Sequence, residues 1–89
     1  METTFPLGKT VITPAAKDLL HPQDVQTCLG RHAKGDWGEL SEQDKGENVA
    51  ALANGGRLLS VFHDRSNVEF FILTEADRSA TTILLLADY

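Results

Sequence analysis

The stretch His32-Ala33-Lys34-Gly35-Asp36-Trp37-Gly38-Glu39 holds the densest set of reactive side chains in the sequence, together with its only tryptophan. A histidine four positions before an aspartate suits general-base chemistry, the carboxylate orienting the imidazole. The same residues also fit a structural reading. His32 then lies on an apolar helix stripe, Trp37 plugs the core, and Asp36 caps a turn or bonds the imidazole. A metal centre is not expected, because His32 and Asp36 are two ligands where catalytic zinc needs three. His21 and His63 stand at no recognisable ligand spacing from them. No cofactor is expected either.

Two further groups invite chemistry. In Glu75-Ala76-Asp77-Arg78-Ser79, the Arg78 fork could take a carboxylate or phosphate, or Asp77 and Arg78 could pair locally. The run Asp36, Glu39, Glu42, Asp44 and Glu47 holds five carboxylates against one lysine, Lys45. Such a row can imitate nucleic-acid phosphates and enter a basic groove on a protein, or it can be the solvated start of a capped helix. No phosphate-binding glycine loop, serine-hydrolase elbow, cysteine–histidine pair at family spacing or aromatic-basic RNA motif is present. Leu58-Leu59-Ser60 shows no base beside its serine, and Cys28 reads as a small core residue. No catalytic residue is assigned.

Elements that position these groups follow from pattern. Lys9 to Ile12 reads as a short strand between Gly8 and Pro14. Thr13-Pro14 reads as a cap and first turn, with a helix over Ala15 to Leu20. Pro22 opens a second helix whose Val25, Cys28, Leu29 and His32 share one face, with Gly35 as its stop. Ser41 caps a third helix, with Val49, Leu52 and Ala53 as its apolar stripe and Asn54-Gly55-Gly56 as its end. Strands are expected over Arg57 to His63, Val68 to Thr74 and Thr81 to Leu86, joined by Asp64-Arg65-Ser66-Asn67 and by Glu75 to Ser79. Short connections make these three an antiparallel meander. The fold expected is α+β, in the order β-α-α-α-β-β-β. Phe71 and Leu73 fall on the sheet face opposite Val68, Phe70 and Ile72, so that face needs a cover.

With 89 residues the chain makes one domain, over residues 1–89. Its 42% hydrophobic content suffices for one small core. A net charge of −5 argues against nonspecific, direct nucleic-acid binding but not against binding a protein that itself binds nucleic acid. The longest apolar run is far short of a bilayer span, and Met1-Glu2-Thr3-Thr4 lacks the basic start of a leader. A cytoplasmic protein without membrane contact is expected.

The segments His32 to Glu39 and Ile72-Leu-Thr-Glu-Ala-Asp-Arg-Ser-Ala-Thr-Thr-Ile-Leu-Leu85, with Asn48, Leu52 and Gly56-Arg57-Leu58-Leu59-Ser60-Val61 between them, carry a resemblance. The chain resembles a group of bacterial proteins of about this length, usually labelled hypothetical or plasmid-related and sometimes restriction-enzyme subunits. The resemblance spans nearly the whole chain. It departs at Leu86, where those proteins tend to have proline before an acidic-Tyr end. It implies cargo of a mobile element, and small acidic cargo of that kind often blocks host defence.

Three functions are therefore expected alternatives. One is a phage or plasmid protein that antagonises a CRISPR or restriction complex by protein contact, with nucleic-acid mimicry. It would use Asp36, Trp37, Glu39, Glu42 and Asp44 together with Glu75, Asp77 and Arg78. Another is a small RNase-like toxin using His32 as base, Glu75 as acid and Arg78 as phosphate clamp. The third is a regulatory or assembly protein that dimerises through the sheet face bearing Phe71 and Leu73.

Overall fold

A computed structural model describes residues 5–89; the leader reading of Met1 to Thr4 lies outside them. The fold is α+β, with a four-stranded sheet in the order β1-β4-β3-β2. Its strands are β1 (Lys9–Ile12), β2 (Leu58–His63), β3 (Glu69–Thr74) and β4 (Ala80–Leu85). The helices are α1 (Pro14–Leu19), α2 (Pro22–Ala33) and α3 (Glu42–Asn54). No helix of the described residues is long and apolar enough to cross a membrane.

The three consecutive strands form the expected meander, Phe62 opposite Phe70 and Ile72 opposite Ile83. β1 joins them as a parallel neighbour of β4, Ile12 beside Ile83. Pattern along the chain does not disclose this pairing, because the two strands are joined through the whole remainder of the fold. Alternation then sorts the side chains. Leu58, Ser60, Phe62, Phe70, Ile72, Thr74, Thr81, Ile83 and Leu85 face the helices and are buried. Leu59, Val61, Phe71 and Leu73 line the outer face and are half-buried.

Local chemistry sets the helix ends. The Thr13 hydroxyl accepts from the Ala16 amide ahead of Pro14, and the Ser41 hydroxyl accepts from the Asp44 amide. His21-Pro22 separates α1 from α2, since a residue before proline avoids helical geometry. α1 and α2 lay Ala16, Leu20, Val25 and Cys28 on the sheet around Phe62, Phe70, Ile72, Ile83 and Leu85. A second cluster joins Phe5, Trp37 and Leu58 with the half-buried Leu7, Leu40, Ala51 and Leu52.

Three expectations are corrected. The apolar stripe of α3 is not Val49, Leu52 and Ala53. Val49 is 61% exposed and Ala53 is exposed, while Asn48 is buried with Ala51 and Leu52 half-buried. The helix is rotated because Asn48 is needed at the sheet edge. β4 does not reach Leu86. Asp88 Oδ2 accepts from the Leu85 amide at 3.1 Å and from the Thr13 hydroxyl at 2.7 Å, which turns the chain into a short 3-10 turn, Leu86–Asp88. Leu86 consequently stands 63% exposed, and the turn brings Tyr89 edge-on to Phe71 on the outer face. Trp37, expected to contact a partner, is only 6% exposed and stacks on Phe5 inside the second cluster.

The two edges of the sheet differ. On β2, Asn48 bonds both polar groups of Leu59, and Val61 is bonded by the segment before α3, its amide to the Trp37 carbonyl and its carbonyl to the Glu39 amide. Gly38 sits at that crossing with φ +68°, and a side-chain carbon there would lie 2.1 Å from the Val61 carbonyl oxygen. On β1, β4 is the sole strand neighbour among the described residues.

Candidate functional site

α2 turns His32 inward three residues after Leu29, where it adjoins the Phe5–Trp37 cluster and has no exposed surface. Its ring meets Phe5 edge-on at 5.3 Å and Trp37 at 5.6 Å. Strand alternation places three hydroxyls in its path. Nδ1 contacts the Ser60 hydroxyl, and Nε2 lies 2.8 Å from Thr74 Oγ1. Thr74 Oγ1 is in turn 2.8 Å from Thr81 Oγ1, its cross-strand partner, and the Thr81 hydroxyl donates to the Leu7 carbonyl at 2.7 Å.

The carbonyl at the end fixes the direction of every proton. Leu7 only accepts, so Thr81 donates to it and accepts from Thr74. Thr74 therefore accepts from Nε2–H, and Nδ1 accepts from Ser60. Neutral His32 satisfies the whole chain, whereas an imidazolium would turn Ser60 into an acceptor and leave a charge sealed beside the Phe5 and Trp37 rings. Burial alone pushes its pKa down to about 4. A serine beside an imidazole is the start of a nucleophile–base pair, but here the second ring nitrogen meets a hydroxyl instead of a carboxylate. Ser60, Thr74 and Thr81 are fully buried as well. The arrangement specifies a core and opens to no substrate.

Asp36 does not bond the imidazole. It pairs with Arg31 at 2.7 Å and accepts from the Gly38 amide, capping the turn before Trp37. The Arg31 guanidinium holds its carboxyl below the usual range. Glu39 accepts from His63 Nδ1 at 2.5 Å, with Glu69 3.7 Å from the other ring nitrogen. The Glu39 hydrogen bond raises the His63 pKa. Glu42 is wide open and 3.6 Å from Lys45, and Asp44 and Glu47 are exposed on the first turns of α3.

The Glu75–Ser79 loop lies elsewhere. Arg78, with φ +62°, turns its guanidinium inward, donating to the carbonyls of Ala51 at 3.1 Å, Gly56 at 2.5 Å and Glu75 at 3.0 Å. It caps the carboxyl end of α3, whose last turn carries no cation of its own, and is not free to clamp a phosphate. Glu75 pairs with Arg57 at 3.1 Å, and Asp77 folds onto the Ser79 amide. The acidic run and this loop thus flank opposite ends of a 13-residue helix, about 20 Å long. They do not form one surface. Nor do His32, Glu75 and Arg78 meet at an open site, because His32 is sealed and Phe5 packs against both its ring and the Arg78 guanidinium.

Among other clusters, Asp24, Thr27, Cys28, Arg31, His63, Asp64 and Arg65 line a shallow depression of about 290 Å³. Arg65 is committed there to Asp24, whose pKa its hydrogen bonds lower to about 2, and Arg31 to Asp36. Among the described residues, no group of three potential metal ligands occurs.

Sequence reasoning missed Ser60, Thr74, Thr81 and Asn48. A signal existed for the hydroxyls: each occupies the inward register of an otherwise apolar strand, and an inward polar group needs a partner. No known protein family, curated protein or solved structure matches the chain.

Proposed function

We propose that the protein is a non-catalytic binding module that sets the amino-terminal half of α3 against a basic protein surface. The partner is a nucleic-acid-binding host defence complex of the CRISPR or restriction type, and the module is carried by a phage or plasmid. One observation carries this reading. Glu42, Asp44 and Glu47 stand exposed in the first half of α3 with a single lysine among them, and Val49 farther along the helix is 61% exposed. An exposed run of carboxylates complements a basic surface, and an outward valine on the same helix adds apolar contact area. Asp36 and Glu39 extend the negative field, although each is already paired within the chain. The burial of His32 supports binding over catalysis.

The test is a challenge assay. Cells bearing one of a panel of CRISPR or restriction systems are infected with a targeted phage, with and without the protein. The proposal expects restored plaques with at least one system. It also expects their loss when Glu42→Gln, Asp44→Asn and Glu47→Gln are combined with Val49→Ser in a chain that still folds. No protection across the panel, or protection indifferent to these substitutions, would overturn it.

A further inference from the structure

The open edge at β1 has the geometry of a self-complementary interface. The Lys9 amide donates to the Ser79 carbonyl and the Thr13 amide to the Ile83 carbonyl, so odd-numbered residues of β1 point their polar groups at β4. In a parallel ladder the intervening Thr10 and Ile12 then turn both amide and carbonyl away from the sheet. Among the described residues nothing bonds them. The far edge, by contrast, is closed at Leu59 by Asn48 and at Val61 by residues 37–39. Exposed edges are normally blunted, and here only one of the two is.

We propose that a second copy of this chain pairs antiparallel along β1, joining two sheets of four strands into one of eight. The register that uses both outward residues of each copy is centred on Val11. Thr10 bonds Ile12 of the second copy and Ile12 bonds its Thr10, which puts the two Val11 residues opposite each other on the two-fold axis. That is a close, non-hydrogen-bonded position. Val11 is 40% exposed and on the outer face, so it meets its own copy there.

Charge agrees with this register. Lys9 shares the outer face and falls opposite Thr13 of the second copy. The Thr13 hydroxyl holds Asp88 at 2.7 Å on that side. Neither Lys9 nor Asp88 has a salt-bridge partner among the described residues of one chain. The two-fold brings Lys9 to Asp88 of the copy twice. On the helix side the same edge continues into an apolar hollow of about 210 Å³ bordered by Ile12, Leu20, Pro22 and Val25, beside the facing Thr10. β1 and α1 also carry Lys9 and Lys17 against Asp18 alone, so the overall charge of −5 does not repel the copies here.

Sedimentation velocity over a concentration series reads the result. Wild type should pass from monomer to dimer. Thr10→Pro, which removes an outward donor without touching the bonds to β4, should weaken association at least tenfold. Lys9→Glu alone and Asp88→Lys alone should each stay monomeric, and an equimolar mixture of the two should dimerise, because mixing restores both ion pairs. Asp88→Lys also gives up its bonds to Thr13 and the Leu85 amide, so recovery of the dimer on mixing is the deciding readout, and it stands even if Thr10→Pro fails to fold. Wild type that remains monomeric to about 1 mM overturns the proposal and leaves the edge to a strand of another protein. A dimer that survives Thr10→Pro but is broken by Phe71→Ser with Leu73→Ser also overturns it, placing the copy on the outer face. This inference is independent of the binding role proposed for α3.

Discussion

Asn48 gives Leu59 both bonds that a neighbouring strand would give it: Nδ2 donates to the Leu59 carbonyl at 2.7 Å, and Oδ1 accepts from the Leu59 amide at 3.2 Å. A helix side chain thereby ends a sheet. Asn48→Ala strips both bonds and strands two part-buried polar groups, for a loss of about 2–3 kcal/mol in urea unfolding. Asn48→Asp should recover none of it, since a carboxylate oxygen then faces the Leu59 carbonyl. Light scattering should show both variants aggregating sooner on heating, because the β2 edge becomes a template.

Arg78 is expected to act on α3 from outside the helix. Arg78→Ala removes donors to three carbonyls and a cation at the helix end, costing about 2–3 kcal/mol. Arg78→Lys should recover less than half, since one ammonium cannot span Ala51, Gly56 and Glu75. Amide exchange should speed up first in the last turn of α3.

Acid should destabilise the fold through His32. Its pKa falls from an unfolded 6.5 to about 4 in the folded chain. The unfolded state therefore binds the extra proton first. Stability from this group is complete above pH 6.5 and drains as pH falls toward 4, by about 3 kcal/mol in all. Denaturant midpoints from pH 7 to 4 measure this slope, and His32→Gln should flatten it while lowering stability at pH 7. The imidazole nitrogen-15 spectrum should show the Nε2–H tautomer and no titration near pH 6.

His63 should behave in the opposite sense. Its pKa is raised by the Glu39 hydrogen bond, so its pairing is complete below the unfolded value near 6.5 and is lost as pH rises through the folded one. Proton NMR of the ring should place its midpoint above 6.5, and Glu39→Gln should move it downward. An unchanged midpoint in Glu39→Gln would assign the shift to Glu69 instead.

Much of this architecture is legible in the sequence, and what is hidden has a common cause. Thr13-Pro14 and Ser41 mark helix starts, and the alternation of Phe70, Ile72 and Leu85 with their neighbours marks strands, because these signals act within a few residues. The parallel seat of β1, the rotation of α3 about Asn48 and the inward fork of Arg78 depend on residues far along the chain. At the site, the structural reading of His32, Trp37 and the Asp36 turn was open to pattern. The hydroxyl partners were visible only as inward-facing polar residues, and Arg31 as the mate of Asp36 gave no signal before the end of α2 was placed.

The Thr81 hydroxyl and the Leu7 carbonyl that it bonds are 74 positions apart, and β1 pairs with β4. During synthesis, all three helices are made before the three strands of the meander that they cover. Such non-local closure is slow, since chain entropy is lost before contacts repay it. The imidazole remains solvated and able to take a proton until β4 docks. The nascent chain is therefore more acid-sensitive than the finished protein, and dependent on its last strand to become dry inside.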